Sequence, residues 1–533
     1  MDQAELKAEM EQRWPDLAWR SSNAAALAGE MMGAPAALPE LCGHLFLERK
    51  LGFAGLIVEE GATAWQLRYV FYGEREREQV HVLVETPLVG KTFPSIAKFV
   101  HAADWHEREA EDMYGLVFTG HPRLGDFILH DDAWQEGVEP MRRGFDAAAA
   151  ERQRQPDADW RPRRIVHERG AFVMPIGPKF SGSAESVHFL LETVGEDVIR
   201  ATPRLFYKWR AIEKLAEGKT VHEALLLAER FAATTAFAHG LAFCQAIETI
   251  AGLQVPPRAR LLRIFLAELE RLRHHAGAIQ EICESTALVV AHSQAGILEE
   301  DLLRISGALT GHRYLFGLLA PGGLLCDLPD AACAKALAQA SAVLQRLDEL
   351  EKRLRAASSF LDRLEEVGSV PQRTAFVYGL VGPVARASAV ARDLRKAQPY
   401  GGYEKLSFEV PMEEEGDGYA RLRILFAEAG QSVGLMRQAV AALPQGLGAA
   451  ARSSGVTPLP LRPGAALGWV EAPRGAAFHW VRLDTDGKIA RYHIIPPSFA
   501  NWHGFHLAVE KFAFQDFPIM LSTFDLSVAE NDR

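Results

Sequence analysis

Short runs of apolar residues mark the first quarter of the chain. Residues 55–58 and 79–84 are rich in β-branched and other apolar side chains, and both runs have the length of strands. An alanine-rich segment of helical character precedes them. We therefore predict an N-terminal domain of the α/β or α+β class over residues 1–146.

The rest of the chain has mainly helical periodicity. Apolar residues recur at spacings of three and four over residues 220–250, 256–284 and 329–367. The third segment carries a leucine stripe, which is short enough to favour an antiparallel bundle helix over a free coiled coil. The stripe consists of Leu337, Leu344, Leu347, Leu350, Leu354 and Leu361.

Strand-like residues return near the C-terminus. Residues 478–483 and 489–495 flank a turn of polar residues and glycine, which predicts a β-hairpin. We expect a larger, mainly helical domain with peripheral β-hairpins over residues 165–533, and an α+β fold for the whole chain. The charged, proline-containing segment 147–164 joins the two domains. A solvated connector is the favoured interpretation of this segment, and a basic docking strip for a partner is the alternative.

Composition and charge exclude several classes of function. The chain has 533 residues, 48% hydrophobic and 24% charged, with a net charge of −11. These values are typical of a globular protein, and the acidic balance argues against nucleic-acid binding through a basic face.

The apolar runs are far shorter than the ~20 residues that span a bilayer, so membrane contact is expected through a partner. The acidic first residues predict a chain that is not exported. The five cysteines form no C-x-x-C pair, which argues against a disulfide framework or a cluster protein.

Candidate chemistry lies in three helical or turn segments. His239 is in a stretch of small residues, where a hydrogen-bonded core histidine is the usual role and a proton carrier is the alternative. Arg271 and His275 share a helix face, and structural ion pairing is favoured over a metal site. Arg386 and Arg395 follow a Gly-Pro turn, and with Asp393 they predict an internal charge network first and a ligand site second.

Two resemblances extend these predictions. Residues 104–122 (DWHEREAEDMYGLVFTGHP) closely resemble the signature of the C-type subunit of bacterial respiratory complex I. The second domain resembles the D-type subunit of complex I, which is itself related to the large subunit of nickel–iron hydrogenases. The fused order resembles the large subunit of formate hydrogenlyase and of energy-converting membrane hydrogenases. The matching pieces are 207–217, 257–259 with Glu268, Arg271 and His275, 382–388, 416–417 with Arg421 and Glu428, and 471–475.

The cysteines that bind the metals in nickel–iron hydrogenases are missing from the matching positions of this chain. The family holds nickel and iron with two pairs of cysteines, because soft thiolates bind these metals. By alignment on residues 247–248, the first pair falls on Ala232 and Thr235. The second pair falls on Ser527 and Glu530. We therefore expect no nickel–iron centre and no metal ligand in this chain.

The quinone site implied by the resemblance to complex I is also altered. The family's headgroup histidine belongs to a G-P-x-H-P motif, and Phe180 occupies its place here. The family's quinone tyrosine aligns with Ala233. Both hydrogen bonds to a quinone headgroup are therefore missing, which argues against ordinary quinone reduction.

These resemblances lead to two hypotheses. In the first, the chain is the large subunit of a membrane-associated oxidoreductase complex at the cytoplasmic face of the inner membrane, between a small iron–sulfur subunit and ion-translocating membrane subunits. The chain itself binds no cofactor, the iron–sulfur cluster lies in the partner, and a quinone is a candidate acceptor. In the second, the chain is a non-redox scaffold for the same partners. NAD is expected on another subunit, since no dinucleotide fingerprint occurs.

The first hypothesis assigns specific residues to the site. His239, Asp525 and Arg230, the last two retained from the family motifs, are the candidate catalytic residues. The cavity that receives electrons is predicted to be lined by Phe180, Ala232, Ala233 and Thr235.

Overall fold

The computed structural model describes most of the chain. The described residues are 3–15, 17–21, 27–32, 36–73, 79–135, 137–149, 159, 161, 164, 166–167, 169–179, 185–444 and 460–533. Most of the predicted linker 147–164, and Phe180, lie outside the described residues.

Helices and strands alternate in the N-terminal part, and helices dominate the rest. The strands are β1 (Ala18–Ser21), β2 (Leu27–Met32), β3 (Gly52–Glu60), β4 (Ala64–Tyr72), β5 (Gln79–Pro87), β6 (Thr92–Pro94), β7 (Val117–Thr119), β8 (Ala171–Ile176), β9 (His188–Val194), β10 (Asp197–Arg204), β11 (Leu319–Ala320), β12 (Gly323–Leu324), β13 (Gly464–Ala472), β14 (Gly475–Leu483) and β15 (Ile489–Ile495).

The helices are α1 (Gln3–Arg13), α2 (Leu38–Gly43), α3 (Asp104–Tyr114), α4 (Ile212–Ala216), α5 (Val221–Arg230), α6 (Ala236–Ala251), α7 (Pro257–Ser285), α8 (Val289–Thr310), α9 (Asp330–Arg355), α10 (Ser358–Leu361), α11 (Gln372–Val377), α12 (Gly382–Arg386), α13 (Leu394–Ala397), α14 (Gly418–Ala441), α15 (Pro497–Val509), α16 (Phe517–Phe524) and α17 (Val528–Asn531). A π-helical turn (His44–Glu48) extends α2. Short 3-10 turns are at His101–Ala103, Ala233–Thr235, Tyr403–Lys405 and Phe514–Asp516.

The N-terminal sheet has five strands in the order β1-β2-β5-β4-β3. The β2–β5 pair is parallel, and the other neighbours are antiparallel. β3 is buried along nearly its whole length, because the sheet is covered on both faces at this strand. The apolar core of this part continues into α15 through Phe499, Trp502 and Phe505, so the sheet packs directly against residues of the C-terminal part.

The helical part is a bundle in which α7 is central. α7 packs against α8 and α14, and α9 packs against α8 and α14 in turn. Leu347, Leu350 and Leu354 of the predicted leucine stripe are buried, which confirms a bundle helix. The predicted hairpin is also confirmed as β14 and β15, with Gly487 in the left-handed conformation at its turn. These observations confirm the predicted α+β fold.

Two of the helical segments expected from periodicity are interrupted. The segment 220–250 divides into α5 and α6, with Ala232 outside the helical conformation between them (φ −135°, ψ 82°). The adjacent threonine pair is β-branched, and such residues have lowered helix propensity. The carboxylate of Glu270 accepts hydrogen bonds from the backbone N–H groups of Phe237 and Ala238 at 2.8 and 2.9 Å, so the first turn of α6 is capped from α7. The segment 329–367 likewise divides into α9 and α10.

Candidate functional site

Three chain segments that are far apart in sequence meet beside the break between α5 and α6. The first is the break itself, with Thr234 and Thr235. The second is the tight turn between β13 and β14, which carries Arg474. The third is the end of the chain, where Asp525 terminates α16 with a φ of 49° and Ser527 caps α17.

Glu530 of α17 is at the centre of this meeting point and is fully buried. Its carboxylate accepts hydrogen bonds from the Thr235 hydroxyl at 3.3 Å, from the Arg474 guanidinium at 3.4 Å and from the Ser498 backbone N–H at 3.1 Å. The imidazole of His239 lies 3.8 Å away. Burial alone would raise the pKa of Glu530, but His239 and Arg474 outweigh it and lower the pKa to about 2. The side chain is therefore a permanent anion at neutral pH.

Asp525 has the opposite electrostatic behaviour. Its carboxylate lies 3.2 Å from Arg474 Nη2 and 3.4 Å from His274 Nδ1, and its side chain is 17% exposed. Burial raises the pKa of Asp525 to about 7, although Arg474 opposes the rise. Arg474 thus lies between one carboxylate that stays ionised and one that titrates near neutral pH. We call Thr234, Thr235, His239, Arg474, Asp525 and Glu530 the carboxylate–arginine site.

A buried row of polar rings runs inward from this site. His239 Nδ1 is 3.0 Å from His479 Nε2 on β14, and His479 Nδ1 is 2.7 Å from the Tyr492 hydroxyl on β15. Burial, together with the neighbouring His239, holds the pKa of His479 well below its usual range. His239 is therefore oriented by a neutral imidazole on one side and faces an anionic carboxylate on the other.

The structure brings together some of the predicted site residues. Thr235, His239 and Asp525 belong to the carboxylate–arginine site, and the Thr235 hydroxyl also lies 3.4 Å from the carbonyl oxygen of Ala232, a second acceptor for the same hydrogen. Ala233 is exposed beside them. Phe180 lies outside the described residues.

Arg230 is directed elsewhere. Its guanidinium donates to the Leu226 carbonyl, pairs with Glu229 at 3.4 Å and lies over the ring of Phe316. The side chain is 48% exposed. Its contacts therefore link α5 to the loop after α8 and do not reach the carboxylate–arginine site.

The sequence patterns assign no role to several members of this site. Arg474 stands out only as part of segment 471–475, which matches the D-type subunit of complex I. Glu530 stands out only as a position at which the hydrogenase family has a cysteine ligand. His479 and Tyr492 fall within the predicted hairpin. No alternation within β14 singles out His479, because every residue of this strand except Arg482 is buried.

The residues at the four family cysteine positions do not fit a nickel–iron centre. Ala232 offers a methyl group, and the hydroxyl of Ser527 accepts the backbone N–H of Glu530 at 3.2 Å as a helix cap. The Thr235 hydroxyl donates a hydrogen bond to the Glu530 carboxylate. Hard, internally bonded oxygens cannot replace four soft thiolates. Within the described ranges, no group of three or more His, Cys, Asp or Glu side chains is arranged to hold a metal ion.

Two family models match different parts of the chain. A family model described as the respiratory-chain NADH dehydrogenase 30 kDa subunit matches residues 32–151. A second model, the 49 kDa subunit of the same enzyme, matches residues 297–460 and 456–533. The chain is thus of the class in which a 30 kDa-type and a 49 kDa-type subunit are fused.

Individual relatives have the same fused order. Formate hydrogenlyase subunit 5 of Escherichia coli (strain K12) is 31% identical over 495 residues, which cover 91% of this chain and 83% of that protein. The fused C/D subunit of the NADH-quinone oxidoreductase of Bdellovibrio bacteriovorus is 27% identical over 477 residues, 83% of this chain and 84% of that protein. The chain belongs to this family of fused complex I-type and formate hydrogenlyase-type large subunits.

A solved structure supports the same assignment. A chain in the structure of the membrane-bound sulfane sulfur reductase, an archaeal respiratory membrane complex, matches with a TM-score of 0.64 and 26% identity. The match covers 69% of this chain and 100% of that one.

Proposed function

We propose that the chain is the large subunit of a membrane-associated, complex I-like oxidoreductase complex. In this proposal, an iron–sulfur subunit delivers electrons to an acceptor at the carboxylate–arginine site, and the reaction is coupled to ion movement in membrane subunits. The complex lies with this subunit at the cytoplasmic face of the inner membrane. The relatives support the proposal, since they include an NADH-quinone oxidoreductase subunit and a chain of a respiratory membrane complex.

The observation that carries the proposal is the pairing of Asp525 and Glu530 around Arg474. Reduction of an organic acceptor such as a quinone consumes two electrons and two protons, so the site needs a proton donor. Asp525, with its pKa raised to about 7, can take up and release a proton near neutral pH. Arg474 carries a fixed positive charge that would stabilise negative charge on a reduced acceptor. His239 is placed to accept or give a proton beside Glu530.

The surface beside the site has features of a docking face. Arg273 of α7 donates to the Thr234 carbonyl and pairs with Glu299 of α8 at 3.6 Å, so α8 borders the site. α8 also carries three exposed apolar side chains, Val289, Val290 and Ile297. Exposed apolar residues grouped on one helix are typical of a protein interface. They support a partner subunit at this face, where it would deliver electrons.

Contact with the membrane is assigned to partners. Of the helices that the structure describes, none combines the length and the apolar composition needed to cross a bilayer. The proposal therefore places the ion-translocating function in separate membrane subunits, with this chain bound to them peripherally.

The test is quinone-dependent electron transfer by the purified complex. We expect His239→Ala and Asp525→Asn to lower the rate by about 100-fold, because each removes a proton-transfer group. The exposed Glu409→Gln serves as control and should keep the wild-type rate. Equal rates of electron transfer in the wild type and all three variants would contradict the proposal.

A second function, a non-redox scaffold, is favoured by one observation. The hydroxyl, guanidinium and carboxylate groups of the site bond to one another. A subunit whose site has become structural would have this arrangement. Cluster spectroscopy on the reduced complex separates the two functions: iron–sulfur signals are required for electron transfer, and a complex without them supports the scaffold.

A further inference from the structure

A second group of charged side chains lies in the core, away from the carboxylate–arginine site. Arg386 binds Glu428 at 2.7 Å and Glu471 at 2.8 Å, and Arg395 binds Asp393 at 2.7 Å. This confirms the internal charge network predicted from the Gly-Pro turn. His275 bonds Glu428 at 2.9 Å, as expected for structural pairing. We call the following set the core ion cluster: Glu268, Arg271, His275, Arg386, Asp393, Arg395, Glu428 and Glu471.

The charges of the core ion cluster do not balance. It holds four carboxylates and three guanidinium groups, and the most exposed of these seven residues, Glu471, is only 4% exposed. His275 does not supply the missing charge, because burial lowers its pKa, although Glu428 opposes this. An unbalanced buried anion is costly, and the usual outcome is that the group takes up a proton.

Geometry identifies which carboxylate is held least firmly. Glu268 contacts Arg271 and Arg395 at 3.3 and 3.0 Å. Glu428 contacts Arg386 and Arg271 at 2.7 and 3.8 Å.

Asp393 also has two guanidinium partners, Arg395 at 2.7 Å and Arg386 at 3.7 Å. Within the described part of the chain, the carboxylate of Glu471 pairs with Arg386 alone, and it shares that guanidinium with Asp393.

We propose that the core ion cluster binds one exchangeable proton and that Glu471 carries it. The groups facing Glu471 are Arg386 of α12, Asp393 and the Leu394 N–H at the start of α13, Arg271 of α7, and Tyr400. Burial and the like charge of Asp393 raise the pKa of Glu471 to about 7, despite Arg386. The pKa values of the other three carboxylates are lowered, because their guanidinium partners outweigh burial.

A cavity borders the core ion cluster. The cavity is about 420 Å³ and is lined by Tyr400, Tyr403 and Trp469, among others. The Tyr400 hydroxyl accepts the backbone N–H of Glu471 at 3.0 Å, and the Tyr403 hydroxyl donates to Glu268 at 2.6 Å. One wall of the cavity is thus in direct contact with the core ion cluster. The proton site does not depend on the proposed function, since a scaffold subunit would have the same core.

The test compares two substitutions of the same chemistry in the full chain. Folding raises the pKa of Glu471 from 4.5 to about 7, so the stability of the wild type falls as pH rises through this range. Glu471→Gln has no ionisable group at this position, and its stability should therefore lack this fall. Glu428→Gln removes a group whose pKa is lowered, and that effect acts only below pH 4.5. Any constant cost of a lost hydrogen bond cancels, because only the dependence on pH is compared.

Thermal unfolding at pH 5, 6, 7 and 8 is the measurement. We expect the melting temperature of Glu471→Gln, relative to the wild type, to rise by about 2 °C from pH 5 to pH 8. The difference for Glu428→Gln should stay constant over the same range. A Glu471→Gln difference that does not change with pH overturns the proposal.

A second variant covers the case in which Glu471→Gln does not fold. Asp393→Asn removes the like charge beside Glu471 and balances the cluster, while its side-chain oxygen can still cap α13. The melting temperature of Asp393→Asn, relative to the wild type, should therefore also rise from pH 5 to pH 8. If Asp393→Asn instead follows the wild type in parallel, no proton resides on Glu471 and the proposal is wrong.

Discussion

Replacing Glu530 by glutamine tests the electrostatics of the carboxylate–arginine site. Glutamine keeps the shape and one acceptor oxygen but removes the negative charge that faces His239 and Arg474. Because Glu530 is fully buried, the charge is poorly screened by solvent. The substitution therefore reports mainly on the interaction of this anion with Arg474 and His239.

The expected magnitude follows from the pKa of Glu530. The pKa falls from 4.5 to about 2 on folding. Each unit corresponds to about 1.4 kcal/mol, so the ionised form contributes about 3 kcal/mol at neutral pH. A lowered pKa contributes stability above the unfolded value of 4.5, and that stability is lost as pH falls through about 2. The gap between wild type and Glu530→Gln should therefore shrink to about 2 kcal/mol at pH 3.5.

The assay is urea unfolding followed by tryptophan fluorescence at pH 7 and pH 3.5. The exposed Glu409→Gln is the matched control and should differ from the wild type by less than about 0.5 kcal/mol. If Glu530→Gln is no less stable than this control at pH 7, the carboxylate is not the ionised centre of the site and the reasoning fails.

Two further predictions concern the same site, and a third concerns the packing of β13 against α6. Thr235→Val removes the hydroxyl that donates to Glu530 and should cost about 1 kcal/mol in urea unfolding. Folding raises the pKa of Asp525 from 3.8 to about 7, so the ionised carboxylate destabilises the wild type above pH 7. Asp525→Asn should therefore be more stable than the wild type by up to about 4 kcal/mol above pH 7 and equally stable below pH 4, as measured by melting curves over a pH series. A Cβ on Gly468 would overlap the backbone oxygen of Ala242, so Gly468→Ala should lose at least about 2 kcal/mol, seen as a lowered melting temperature.

Local patterns are sufficient for much of the fold. The apolar run 55–58 lies within β3, and the hairpin of β14 and β15 has the predicted turn. The signature segment 104–122 contains α3, which ends at Gly115 in the left-handed conformation. These features depend on periodicity and on turn residues, both of which are visible over a few neighbouring positions.

The candidate site is harder to predict, because its contacts join distant parts of the chain. The hydrogen bonds between His239 and His479 and between Arg474 and Glu530 join segments that share no sequence pattern. The break between α5 and α6 also escapes prediction, since apolar spacing continues through it while Glu270 caps the new helix from another element. Arg230 is adjacent to the site in sequence, but the helix directs its side chain to Phe316.

The nickel content of the purified complex is the decisive measurement, because iron alone would also come from clusters in a partner. Thr235, Ser527 and Glu530 present hydrogen-bonded oxygens where a nickel–iron centre would require soft thiolates. Elemental analysis should therefore find nickel far below one atom per chain. One nickel atom per chain, lost together with activity when Glu530 is replaced by glutamine, would contradict the account.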